Sequence, residues 1–203
     1  MTLYANYAAW VSGVRSWLDA DHLSDAAVGD FIALAQDRLN RELNAWEMEA
    51  TVNRTAASGA VTLPADFSRI RDVSVAGVGT YTVSTKGEIT NRTAAKNELE
   101  RLFAIDAGAI ILWPTPVDGT VVAIDYYVRV PDISVSVASN IFTTNYSDLM
   151  LWACLVEGSN FIVEDDRAQL YEGKYQTALN ASNQNPKKVK FGSTPLRRTM
   201  RIV

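Results

Sequence analysis

Helical periodicity at both ends of the chain brackets a β-rich middle, and that order limits the folds open to it. Near the start, Tyr7, Trp10, Val11, Val14, Trp17 and Leu18 recur at i, i+3, i+4 and i+7, the spacing of one helix face. This predicts a helix that stops near Asp19-Ala20-Asp21. Ser24 is a good N-cap for a second helix, with Leu23 and Val28 at the two positions of a hydrophobic staple. Its apolar stripe is Val28, Phe31, Ile32, Ala35, Leu39, Leu43 and Trp46, with Asp37, Arg38, Arg41 and Glu42 mostly on the other face. The pair forms an αα-hairpin.

After Trp46 the period changes. Glu49 to Asn53 alternates weakly, Ala60 to Leu63 runs into Pro64, Arg69 to Val75 alternates, and Tyr81 to Val83 is a short strand candidate. Asn91 to Arg101 is polar and fits a short helix or a loop. The clearest β signals are Ala109 to Trp113 and Val121 to Val130. The prolines and Asp118-Gly119 between them predict a hairpin with a longer loop. A small antiparallel sheet or partial barrel is expected over roughly 49–142.

Helices return at Tyr146, with Asn145 as the predicted N-cap and Asp148 in the first turn. Leu149, Trp152, Ala153, Val156 and Phe161 line one side. Glu164-Asp165-Asp166 breaks the pattern and caps a last helix, whose buried face is Leu170, Tyr171, Tyr175, Ala178 and Leu179. Its end is placed at Pro186. The expected class is therefore α+β: a four-helix bundle from the N- and C-terminal helix pairs (1–48 and 143–183), an inserted small antiparallel β domain (49–142), and an extended C-terminal arm (184–203).

Charge divides the chain unevenly. Six of its 19 basic residues lie beyond Pro186 and none of its 23 acidic ones do, so the preceding part carries 13 basic and 23 acidic side chains, a net −10. Such a tail is drawn to acidic surfaces, the body of a neighbouring copy among them. Its few apolar side chains, one glycine and two prolines give it too little surface to bury alone. Fully extended, it would span about 60 Å at about 3.3 Å per residue. Val189, Phe191, Leu196, Met200, Ile202 and Val203, set between the charges, suit docking on a groove or sheet edge. The expected partner-binding residues are Lys187, Lys188, Lys190, Phe191, Leu196, Arg197, Arg198, Met200, Arg201 and Ile202.

Signals for chemistry are sparse. The single cysteine, Cys154, sits among apolar neighbours and reads as core; one cysteine allows no intrachain disulfide. The single histidine, His22, is flanked by Asp19 and Asp21 in an inter-helix loop and reads as solvated. Glu164, Asp165 and Asp166 are better placed as helix-start charges than as carboxylates held across a cleft. Phosphate-loop, dinucleotide, zincin and nucleophile-elbow motifs are missing, and Gly77-Val78-Gly79 suits a tight turn. No catalytic residue, metal site or cofactor is expected. Neither a secretory signal nor a stretch of about 18 apolar residues is seen.

Several segments in order carry a family resemblance. These are Leu63-Pro64-Ala65-Asp66-Phe67; Ile111-Leu112-Trp113-Pro114-Thr115-Pro116 leading to Asp125-Tyr126-Tyr127; Tyr146-Ser147-Asp148-Leu149; Glu164-Asp165-Asp166-Arg167-Ala168; and Tyr171-Glu172-Gly173-Lys174-Tyr175. Over about residues 24–180 the chain resembles the head-to-tail adaptor proteins of tailed bacteriophages, especially the tail-tubular adaptors of short-tailed phages. Where that family often has Tyr-Pro-Asp, this chain has Tyr146-Ser147-Asp148. The resemblance implies a non-enzymatic virion protein at the head–tail junction, assembled in the host cytoplasm. It implies a homo-oligomeric ring, commonly dodecameric, with the portal protein above and a tail tube, nozzle or other tail protein below. DNA would pass through the channel without specific binding, and no membrane is involved. The alternatives are a nucleic-acid-binding protein acting through the basic tail and, more remotely, a cell-wall hydrolase using Glu164 and Asp166.

Overall fold

The computed structural model describes residues 3–91 and 100–191, with residues 184–191 described by backbone alone. In chain order come α1 (Tyr7–Leu18), α2 (Asp25–Glu42), a 3-10 turn (Trp46–Met48), β1 (Glu49–Thr55), β2 (Ala60–Thr62), β3 (Phe67–Val75) and β4 (Gly79–Val83). Then follow α3 (Lys86–Thr90), β5 (Leu102–Asp106), β6 (Ala109–Trp113), β7 (Val121–Val128), α4 (Ile141–Asn145), α5 (Ser147–Phe161) and α6 (Asp165–Phe191). The class is α+β, as the order of patterns predicts. The chain divides into a helical unit, Met1–Glu47 with Val130–Val203, and a β unit, Met48–Arg129.

Local chemistry sets the helix ends. The Ser24 hydroxyl accepts the Ala27 N–H at 3.2 Å, and the staple residues Leu23 and Val28 are both buried. Asp19 closes α1 in the left-handed region at φ 55°, and Val163 does the same after α5 at φ 60°. At both ends the next residue reaches back five positions, Ala20 N–H to Arg15 O and Glu164 N–H to Ser159 O. That is the Schellman pattern, which satisfies carbonyls the helix leaves open.

Within the helical unit α5 is the centre, packed by α1, α2, α4 and α6. Its buried residues run all round it, from Leu149, Met150 and Leu151 to Val156, Gly158 and Ser159. A Cβ at Gly158 would lie 2.4 Å from Leu18 Cδ1, so the glycine lets α1 close on α5. Two buried amides of α2 hold the segment that follows the β unit. The Asn40 side chain donates to Val130 O at 3.1 Å and accepts from Val130 N–H at 2.8 Å. Gln36 Oε1 accepts from Ile133 N–H at 2.8 Å and from the Asn140 side chain at 3.0 Å.

Several expectations need correction here. Asn145 does not cap α5; Asn140 caps α4 in a capping box with Thr143 instead, and α5 starts without a side-chain cap. Arg38 and Glu42 do not face water but turn to α6. Trp17, Trp46, Phe161 and Leu170, all assigned to apolar faces, are exposed. Pro186 does not end α6, which continues to Phe191. The proline costs a hydrogen bond and a clash. The lysines that follow it are good helix formers, and Asn183, one turn before, donates to Glu42 O at the end of α2 at 3.1 Å and accepts from Asn44 N–H just beyond it at 2.7 Å.

The β unit is a seven-stranded sheet in the order β1-β7-β3-β4-β5-β6-β2, antiparallel except for β4 with β5. Its edge strands β1 and β2 are consecutive in sequence, and paired Ala57–Ala60 bonds of 3.0 and 3.1 Å hold the turn between them. The sheet therefore curls toward closure. Two register shifts between β3 and β7 add to the bend. Val122, Ile124 and Tyr126 alternate inward with Val73, Val75, Phe103, Ile110 and Leu112 in one core.

The predicted hairpin between Ala109–Trp113 and Val121–Val130 is not formed. β6 pairs with β5 and β2, whereas β7 pairs with β1 and β3. The loop carrying Asp118-Gly119 crosses to the β1–β2 turn. Asp118 accepts from Ser58 N–H at 2.7 Å, and Gly119 N–H donates to Ala56 O at 2.9 Å. The true hairpin joins β5 to β6 through Ala107 and Gly108, both at positive φ.

Candidate functional site

α6 carries the chain from the end of α5 to its basic C-terminal segment, so the groups that fix α6 set the base of that segment. The Arg38 guanidinium forks onto Glu172, with bonds of 2.8 and 2.6 Å, and adds a 3.2 Å bond to Glu42. Paired N–H donors on one carboxylate give both strength and a fixed geometry. The same guanidinium lies 4.1 Å from the centre of the Tyr175 ring, whose hydroxyl donates to Glu42 at 2.9 Å. Hydrogen bonds from Arg38 hold the Glu172 carboxyl below the ordinary range. Burial, with Glu42 beside it, pushes the Tyr175 phenol up.

Of the predicted partner-binding residues, Lys187, Lys188, Lys190 and Phe191 fall in the last turns of α6. Leu196, Arg197, Arg198, Met200, Arg201 and Ile202 lie outside the described residues.

The residues considered for chemistry are separated. His22 is exposed between α1 and α2. Cys154 is fully buried, and burial followed by Glu157 pushes its thiol far up, which fits a core residue. Glu164 pairs with Arg167 at 3.0 Å, one residue before the acidic first turn of α6. These carboxylates share one helix start and do not face each other across a cleft. Among the described residues no three metal-ligating side chains come together. None of the described helices is long and apolar enough to cross a membrane.

An aromatic ladder, not anticipated from the sequence, climbs from α6 to the surface of α1. Tyr171 stacks on Trp152 at 6.0 Å, and Trp152 meets the Trp17 edge at 5.8 Å. The Lys174 ammonium caps it, 4.5 Å from the Trp152 ring centre. Trp17 remains 47% exposed and Leu170 56%. The only sequence signal was an aromatic on each of three helices; their meeting is a tertiary event.

Several of the segments that carry the resemblance supply clips within each unit. Asp66 accepts the Tyr126 hydroxyl at 3.0 Å, its carbonyl takes Arg129 N–H at 2.7 Å, and Phe67 stacks on Tyr126 at 6.0 Å. Tyr146 donates to Glu47 at 2.8 Å, and Glu172 and Tyr175 hold α2. The model of the SU10 adaptor protein family matches residues 5–199, nearly the whole chain. The chain belongs to the SU10 adaptor protein family. No curated protein matches it. As an SU10 adaptor it is a phage structural protein of the head–tail junction, associated with other head and tail proteins of the virion. The resemblance read from the soft motifs thus holds at the level of a phage head-to-tail adaptor.

Proposed function

We propose that this adaptor assembles into a homo-oligomeric ring between portal and tail, dodecameric as in the proteins it resembles, and continues the DNA channel. The observation that carries the reading is the family match over 5–199. In this reading α1, α2, α5 and α6 act as a four-helix bundle forming the ring wall. The β unit offers a platform to the tail tube or nozzle below, and DNA passes without being gripped. An acidic body supports that last point, because it repels phosphates. The role is structural, with no catalysis. The segment Lys187 to Val203, whose first residues complete the last turns of α6, is the strap that reaches a neighbouring protein, its cations and interspersed apolar residues suiting a groove or sheet edge.

Mass measurement of the free protein, of the purified portal and of their mixture tests the ring. A discrete high-mass complex is expected, and a mixture that stays as separate components would refute it. Deleting 186–203 should remove only the last turns of α6 from the helical signal, leave cooperative unfolding intact and abolish docking; unchanged affinity would remove the strap.

The six cations of the tail favour a second reading, DNA binding through charge alone. It requires duplex binding that weakens steeply with salt. Absence of binding at low salt excludes it.

A further inference from the structure

The helical unit presents two unlike faces on opposite sides of α5. Trp152 of α5 looks out between α1 and α6, since its ring meets Trp17 and Tyr171. Phe161 of the same helix packs on Phe31 of α2 at 5.3 Å. Nine positions separate Trp152 from Phe161, which is about 180° around an α-helix. The α2 side is thus opposite the aromatic ladder. On α2 the residues Val28, Phe31, Ile32, Ala35 and Leu39 are buried. Asp30, Leu34 and Asp37 follow at i, i+4 and i+7 on the outward face, with Leu34 51% exposed.

The ladder face is apolar and carries the Lys174 ammonium over the Trp152 ring. Its tryptophans are held by one another, so seating a partner on them orders little that is loose. Tryptophan is also the residue type that most often dominates an interface. Among the described residues the exposed Lys174 pairs with no carboxylate, and the exposed Asp30 pairs with no cation. The α2 face is apolar at Leu34 and acidic at its Asp30 end, with Arg41 closing the stripe beyond Asp37; the Asp30 end is the complement in charge of Lys174.

We propose that the Trp17–Trp152–Leu170–Lys174 face of one copy seats on the Asp30–Leu34–Asp37 face of the next. Because the two faces are different and point in opposite directions, the contact is heterologous, and a repeated heterologous contact generates a ring when its rotation closes. The inference deepens the ring reading and rests on it.

Charge reversal tests it on the full chain, with sedimentation and native mass spectrometry across protein concentration and in the presence of portal. Both positions are exposed, and circular dichroism checks folding. Lys174→Glu alone and Asp30→Lys alone should each weaken association between copies by about tenfold or more. An equimolar mixture should recover it with the two variants alternating, since each then meets an opposite charge on both sides. The double variant in one chain should recover it too. If the single variants assemble on the portal like wild type, or the mixture gains nothing over either alone, the contact lies elsewhere and the ring reading stands. If wild type forms no multi-copy complex with or without portal, the ring reading fails and this contact with it.

Discussion

Arg38 shows how much one side chain can organise. It reaches Glu42 on its own helix, Glu172 on α6 and the Tyr175 ring together. Arg38→Lys keeps the charge but loses the fork and the stacking plane. Arg38→Ala also strands Glu172, and should cost about 2–3 kcal/mol, discounted for the partial exposure of the pair, read from chemical denaturation. The acid side follows from Glu172. Its carboxyl is held below the ordinary value, so its stabilisation is complete above about pH 4.3 and fades as pH falls through the lowered folded value. Removing Arg38 should flatten that acid-side loss. Val163 makes the opposite case. A β-branched residue at φ 60° and 77% exposed occupies a site where glycine is unstrained. Val163→Gly should raise stability by about 1 kcal/mol, and a lower melting temperature would contradict the Schellman account.

Among elements, legibility tracked how local the deciding physics was. The start of α2 was readable because cap and staple lie within five residues of each other in sequence. The faces of α1 and α2 were readable from their period, apart from Trp17, Trp46 and the Arg38–Glu42 edge, whose environment another element decides. Strand pairing was not readable. Asp118-Gly119 has the composition of a hairpin turn, but its side chain and N–H bind the β1–β2 turn, so β7 went to β1 and β3. The hairpin that β6 does form turns at Ala107-Gly108, where alanine hides the positive φ that asparagine would have announced. Contacts between helices give tests of their own. Gly158→Ala pushes a Cβ into Leu18 and should destabilise by about 1–3 kcal/mol, with Leu18→Ala in the same chain recovering part of it. Asn40→Ala leaves both polar groups of Val130 buried without their partner and should cost about 2–4 kcal/mol, seen in the same unfolding titration.

At the scale of the molecule, the order helix pair, β region, helix pair was visible because each pattern persists over many residues. The role was visible only through soft motifs in the right order, since residues such as Asp66, Tyr126, Tyr146 and Tyr175 serve the fold of their own unit. A final consequence comes from β1 and β7. They are antiparallel neighbours, and Glu49 stands opposite Tyr127. The polypeptide therefore enters and leaves the β unit through a single doorway, one strand spacing wide, about 5 Å. Splicing in such a cassette asks almost no loop closure of its host. Excising 49–128 and bridging the gap with a few glycines and serines should leave a helical protein that still unfolds cooperatively. Such a cassette is exchangeable for another of the same doorway while the helical frame is kept.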